Sequence, residues 1–209
     1  ATLGDGQTLS SLLPAESYAA LKTAVSEYGV DLSLFNQLKP SFVTQQLAVL
    51  ALASVGYDPS AGVEQHFKRK AGERPILQLE TIDFQLDILF NPPMATQVAM
   101  TKDTLAQLPQ FETQTADLIA AWLAGDEAGL LGVIQAQSGE SPEIRAFMHK
   151  IIVERNHSMT DKIVGYLQQP GTYFVLVGSA HLAGSDGIPA LLKAAGYELE
   201  RYQTDSVIN

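Results

Sequence analysis

A short uncharged run that ends in a glycine and a histidine constrains the fold more than any other stretch of the chain. Residues 173–177 are Tyr, Phe, Val, Leu and Val, and the run continues through Gly178 to His181. Such runs are typical of strands that are covered on both faces, as in parallel sheets. We therefore expect a central strand, a sharp turn at Gly178 where a side chain would clash, and His181 beyond the carboxyl end of the strand, where open α/β sheets bind their ligands.

A second apolar segment places a carboxylate in an equivalent position. Ile76–Leu79 predicts a strand, Glu80 follows it, and Thr81 is placed to cap a helix over residues 82–90. Residues 197–202 alternate like a strand nearer the edge of the sheet. An imidazole and a carboxylate at one sheet edge are groups that bind a divalent metal. Each group also has an alternative interpretation. His181 can be bonded to a nearby carbonyl, and the charge of Glu80 can stabilise a helix N-terminus.

Most of the remaining sequence has helical periodicity. Apolar residues recur at helical spacing through residues 9–28, 42–55, 91–137 and 143–168, with breaks at prolines and glycines. We expect a helix-rich α/β fold in one domain over residues 1–209, with a small, mainly parallel sheet of about three strands and a helical insertion at about 91–137. Because sheets usually have about four to six strands, this sheet is expected to be incomplete, or to be completed by a partner chain such as a second copy.

Charge and composition exclude several classes of function. The net charge is −10 and the Lys and Arg residues are spread along the chain, so nucleic acid is not an expected partner. The sequence contains no Cys, which excludes disulfides, cysteine zinc sites and thiol nucleophiles. No apolar run approaches the roughly 18 to 20 residues of a membrane span, and the first residues lack a secretory signal pattern.

Glu64 and His66 form a further candidate group, directly after Gly62. Residues two positions apart do not share a helix face, so both can bind one ion only if this segment is not yet helical. A solvated helix start is therefore the favoured interpretation.

Arg155 and Asn156 lie in the long predicted helix that leads to the strand at 173–177. An arginine in this place can hold a substrate carboxylate or orient a carboxylate that binds a metal. A surface ion pair with Glu154 or Asp161 is equally compatible with the sequence.

Taken in order, these motifs closely resemble those of bacterial TraB/GumN proteins. The matching segments are Leu38–Phe42, Gly62–Phe67, Leu79–Thr81 with Gln85, Val153–Asn156 with Met159, Phe174–Leu182, Gly184–Gly187 and Gly196 with Tyr197. The resemblance implies an α/β core with helical insertions, related to the Tiki metalloproteases and more distantly to erythromycin-esterase-like and haem-binding ChaN-like proteins.

The resemblance also implies an activity and a set of site residues. Members of the Tiki branch are peptidases that depend on a metal, typically manganese or cobalt, and that use two Gly-x-x-His motifs together with acidic residues. We therefore expect a manganese, cobalt or zinc ion in this family. The expected catalytic residues are Glu80, Arg155 and Asn156, the expected metal ligands are His181, Glu80 and His66, and the expected motif positions are Gly178, Gly62 and Glu64.

The sequence thus favours a metal-dependent hydrolase that acts on a peptide or another small molecule. The alternative is a non-catalytic binding protein for envelope or polysaccharide processes, with a small ligand or haem in the site. The resemblance makes the bacterial envelope or periplasm the expected location. Family members have a strand and a first Gly-x-x-His upstream of the position of Ala1, so we expect Ala1–Asn209 to be the carboxyl-terminal two thirds of a longer protein, and a fragment of this kind could be inactive.

Overall fold

The computed structural model describes residues 1–137 and 141–202, and this part of the chain is built from helices joined by turns and extended segments. None of the helices described is long and apolar enough to cross a membrane. In chain order the α-helices are α1 (Leu9–Leu12), α2 (Ala15–Ser26), α3 (Pro40–Ser54), α4 (Val63–Ala71), α5 (Ile82–Phe90), α6 (Met94–Gln107), α7 (Phe111–Ala124), α8 (Glu127–Gln137), α9 (Pro142–His149), α10 (Arg155–Leu167) and α11 (Ile188–Ala194).

Helices α1 to α3 form the larger hydrophobic core. Thr8 begins α1 with a capping box, in which the side chains and backbone amides of Thr8 and Ser11 bond reciprocally. Helix α6 packs against α2 and α3 and also against α9. The predicted insertion at about 91–137 therefore contacts helices that precede it and a helix that follows it in the chain. The buried residues of this core are Leu9, Leu13, Leu21, Ala24, Val25, Leu32, Val43 and Leu47.

The predicted α/β fold with a small, mainly parallel sheet is wrong for the part of the chain that the structure describes. No named strand occurs there, and an isolated antiparallel bridge joins Thr2 to Leu38. The run at 173–177 is not covered on both faces, because Phe174 is 71% exposed. The segment predicted as a second strand exposes Ile76 by 61%, and the residues from 197 to 202 are not a strand either.

The error has a physical reason. β-branched and aromatic residues favour a strand only where neighbouring strands pack against it, so their strand preference depends strongly on context. No such neighbour lies beside these runs in the described residues, and they remain extended connections. Leu79 and Val177 instead pack against a small cluster formed by Met159, Ile163 and Ile188. The carboxyl ends of the two extended segments therefore meet on a surface made by α10 and α11.

A continuous helical run leads to the same place. Helix α9 is followed directly by a π-helical turn at Lys150–Glu154, which is followed directly by α10. The sequence predicts this run as one helix, and the π turn inside it was not expected. Such turns contain an extra residue and are frequent at functional sites. This π turn ends immediately before Arg155.

Candidate functional site

The first part of the site is a buried ion pair between Glu80 and Arg155. The Nε atom of Arg155 donates to Oε1 of Glu80 at 2.8 Å, and one terminal nitrogen donates to Oε2 at 2.6 Å. The amide of Gln85 donates to Oε2 of Glu80 at 3.2 Å. The Glu80 side chain is 4% exposed and that of Arg155 is 15% exposed. Two parallel bonds between a guanidinium and a carboxylate fix the orientation of both groups.

The second part of the site is a hydrogen bond between Asn156 and His181. The Oδ1 atom of Asn156 lies 2.7 Å from Nδ1 of His181. Asn156 is fully buried, and His181 is 8% exposed in a short 3₁₀ turn that begins at Ser179. The amide nitrogen of Asn156 donates to the main-chain carbonyl of Asp186 at 2.7 Å. The imidazole is therefore held from its Nδ1 side.

Consecutive residues of one helix hold the two parts of the site. Arg155 and Asn156 are the first two residues of α10, and they bind Glu80 and His181 respectively. Glu80 lies at the end of one extended segment, where Thr81 caps α5 by accepting from the amide of Phe84, as the sequence predicts. The structure thus brings Glu80, Arg155, Asn156 and His181 into one site.

The electrostatics of the site keep Glu80 charged. Burial raises the pKa of the Glu80 carboxyl group, but the hydrogen bonds from Arg155 and Gln85 and the charge of Arg155 lower it more. The resulting pKa lies below the ordinary value of 4.5, so Glu80 is a carboxylate at neutral pH.

The same environment keeps His181 neutral. Burial is the largest cause that lowers its pKa, and the positive charge of Arg155 lowers it further, while the negative charge of Glu80 acts in the opposite direction. The pKa of His181 therefore lies below 6.5. A neutral imidazole has one nitrogen with a free lone pair, which is the form that binds a metal or accepts a proton.

Three other predicted site residues lie at the start of α4. Gly62 is the N-cap of this helix, and Glu64 forms an exposed ion pair with Lys68 at 2.9 Å. His66 is exposed and makes an edge contact with the ring of Phe67. The contacts described for Glu64 and His66 are local to α4, so the structure does not bring them to the residues around Glu80. Among the described residues, no group of three or more His, Cys, Asp or Glu side chains is arranged to hold a metal ion.

A side chain at position 178 was expected to clash, and this expectation is wrong. Position 187, in contrast, requires glycine for steric reasons. Gly178 has a φ of −61°, and a Cβ atom there would meet the His181 ring at an ordinary 3.7 Å. A Cβ atom on Gly187 would lie 2.8 Å from the carbonyl oxygen of Ala183 and 2.9 Å from the backbone of Leu182. Gly187 therefore allows the close approach that places the Asp186 carbonyl at Asn156.

Two participants in the site were not assigned a role from the sequence. Gln85 is part of the family pattern, but its bond to Glu80 depends on how α5 is oriented after its cap at Thr81. The Asp186 group that binds Asn156 is a main-chain carbonyl, which no side-chain pattern can indicate.

Comparison with known proteins gives a family match and one distant relative. The model described as TraB/PrgY/gumN family matches residues 1–201. An uncharacterized protein of Treponema pallidum (strain Nichols) is 22% identical over 190 residues, which cover 87% of this chain and 56% of the relative. The chain thus spans about half the length of this curated relative. No solved structure matches the chain significantly.

Proposed function

Since this chain belongs to the TraB/PrgY/gumN family, we propose that Glu80 and His181 are part of a metal-dependent hydrolytic centre, as the resemblance to peptidases of the Tiki branch implies. The observation that supports the proposal is that consecutive residues of α10 hold a buried imidazole, His181, and a buried carboxylate, Glu80, in one site. The substrate in this proposal is a peptide or another small molecule with a hydrolysable bond.

His181 and Glu80 each have an atom with the chemistry of a metal ligand. His181 uses Nδ1 for its bond to Asn156, so Nε2 is the atom with which it would bind a metal. Oε1 of Glu80 accepts one described hydrogen bond, from Arg155, and a carboxylate oxygen has two lone pairs. His181 and Glu80 would thus supply two ligands, and water or substrate oxygens are suitable for open positions of a catalytic metal.

Each residue of the site has a distinct task in this proposal. A metal bound here would supply activation of a water molecule at neutral pH. Arg155 fixes the direction of the Glu80 carboxylate, as the hydrogen-bond partners of metal-binding carboxylates do. Asn156 does the same for the His181 ring. Gln85 adds a third donor atom to Glu80 and restrains Oε2, one of the two carboxylate oxygens that Arg155 binds.

Metal titration of purified variants tests the proposal. We expect the chain to bind Mn²⁺, Co²⁺ or Zn²⁺ in calorimetric titrations. His181→Ala should weaken binding by more than about 100-fold, because it removes a ligand, whereas the loss of a ligand's hydrogen-bond partner costs about 10- to 100-fold. His157→Ala is the matched control, because His157 is exposed on the same helix, next to Asn156. His66→Ala tests the remaining predicted ligand separately. Equal affinity in the His181→Ala and His157→Ala variants would contradict the proposal.

The second candidate function is a non-catalytic binding protein for a small ligand or haem. The observation that favours it over catalysis is that the polar groups of the site already bind one another. Arg155 and Glu80 neutralise each other, and both the oxygen and the nitrogen of the Asn156 amide are hydrogen-bonded. This candidate predicts that haem or a small anion binds without turnover of labelled casein. Hydrolysis of casein that depends on both added metal and His181 would rule it out.

A further inference from the structure

The orientation of the Asn156 amide follows from its two partners. The Asp186 carbonyl oxygen can only accept a hydrogen bond, so the group 2.7 Å from it must be the amide nitrogen of Asn156. The amide oxygen must then be the atom that lies 2.7 Å from Nδ1 of His181. Because Asn156 is fully buried, water cannot substitute for either partner. The direction of the amide is therefore determined by the main chain at Asp186.

The orientation of the amide determines the position of the imidazole proton. An amide oxygen only accepts hydrogen bonds, so Nδ1 of His181 must be the donor. In a neutral imidazole the other nitrogen then has the lone pair. We propose that Asn156 is a positioning residue that selects the tautomer of His181 with a proton on Nδ1 and the lone pair on Nε2. The proposal deepens the function proposed above and relies on it for the statement that His181 is a metal ligand.

The selection is effective because the loop that carries Asp186 is itself held in place. The amide of Gly184 donates to Oε1 of Glu127 on α8 at 2.7 Å. Gly187 packs against the backbone of Ala183 and Leu182 too closely for any larger residue. The Asp186 carbonyl lies between these two fixed points. The loop and α10 together therefore define where both ends of the Asn156 amide lie.

Nuclear magnetic resonance measures the tautomer without a metal or a substrate. Long-range correlations between ring protons and ring nitrogens of the ¹⁵N-labelled chain distinguish a protonated Nδ1 from a protonated Nε2, at about pH 8, above the usual histidine pKa. Comparison with His181→Ala assigns the signals. We expect Nδ1 to be protonated in the wild type. Asn156→Leu removes the acceptor, so we expect a mixture of tautomers or the opposite one.

Two further variants separate tautomer selection from a structural role. Asn156→Asp keeps an oxygen acceptor for His181 and should keep Nδ1 protonated, while it removes the donor to the Asp186 carbonyl. Thr160→Val changes another buried residue one turn further along α10, whose hydroxyl has no described partner, and should leave the pattern unchanged. In metal titrations Asn156→Leu should lose about 10- to 100-fold in affinity.

The outcomes distinguish this inference from the proposed function. A proton on Nε2 in the wild type would overturn tautomer selection, as would a wild-type pattern in folded Asn156→Leu. If Asn156→Leu does not fold, the wild-type and Asn156→Asp spectra still decide the question. If the spectra agree with the inference and no metal binds, the proposed function fails while the assignment of Asn156 remains.

Discussion

Replacement of Arg155 by methionine should destabilise the chain strongly. The substitution removes the ion-pair partner of the Glu80 carboxylate, whose side chain is 4% exposed. Removing one partner of a buried ion pair costs about 3 to 5 kcal/mol. For a chain of this size, about 1 kcal/mol corresponds to roughly 2 to 4 °C in melting temperature. We therefore expect Arg155→Met to lower the melting temperature by about 6 to 20 °C.

A double-mutant cycle isolates the contribution of the pair. Glu80→Gln removes the other charge, and the double variant removes both, so the double variant should lose less free energy of unfolding than the two single losses added together. Residues in one such network typically couple by about 0.5 to 3 kcal/mol, and we expect the upper half of that range. Urea denaturation of the four proteins, followed by far-ultraviolet circular dichroism, gives each free energy of unfolding.

An exposed ion pair in the same chain provides the matched control. Nζ of Lys68 lies 2.9 Å from Oε1 of Glu64 on α4, and the two side chains are 51% and 66% exposed. Exposed ion pairs of this kind on a helix contribute about 0.3 to 0.5 kcal/mol. The cycle Glu64→Gln with Lys68→Met should therefore give a much smaller coupling. If the coupling between Glu80 and Arg155 is no larger than in this control, the pair does not behave as a buried one and our reasoning is refuted.

Three further predictions concern titration and packing. The pKa of His181 is below 6.5 in the folded chain, so the unfolded chain takes up this proton first as the pH falls; the free energy of unfolding should decrease below that pH, and His181→Gln should reduce the decrease in urea titrations. The pKa of Glu80 is below 4.5, so its stabilising contribution is present above that value and is lost at lower pH, and Glu80→Gln should have a flatter acid limb in the same titrations. Gly187→Ala should destabilise the chain by about 1 to 3 kcal/mol, because the new Cβ atom would meet backbone atoms. Gly165 is a residue of α10 with open space around the position of a Cβ atom, so Gly165→Ala should stabilise the chain by up to about 1 kcal/mol. Equal melting temperatures of these two variants would contradict the packing argument.

Local sequence signals predict the helices well but do not predict the sheet correctly. The cap at Thr81 depends on bonds between residues three positions apart, which a short window contains. The run at 173–177 has the composition of a buried strand, but a strand needs neighbours that no short window reveals. Phe174 is accordingly exposed, and Val177 packs on helices.

The sequence singled out the four central residues of the site but did not determine their partners. Arg155 was compatible with ion pairs to Glu154 or Asp161 nearby, whereas in the structure it binds Glu80, 75 positions away. Which carboxylate Arg155 binds depends on where α10 meets the segment before α5, and this contact belongs to the tertiary structure. The π turn immediately before Arg155 was not predicted from the sequence either.

Because adjacent residues of α10 bind the carboxylate and the imidazole, the spacing of these two groups depends on the geometry of this helix. A rearrangement that rewound the π turn into regular α-helix would rotate both anchors in the same sense. The carboxylate and the imidazole would then move together. A displacement of either segment would be transmitted to the other through the peptide bond between Arg155 and Asn156.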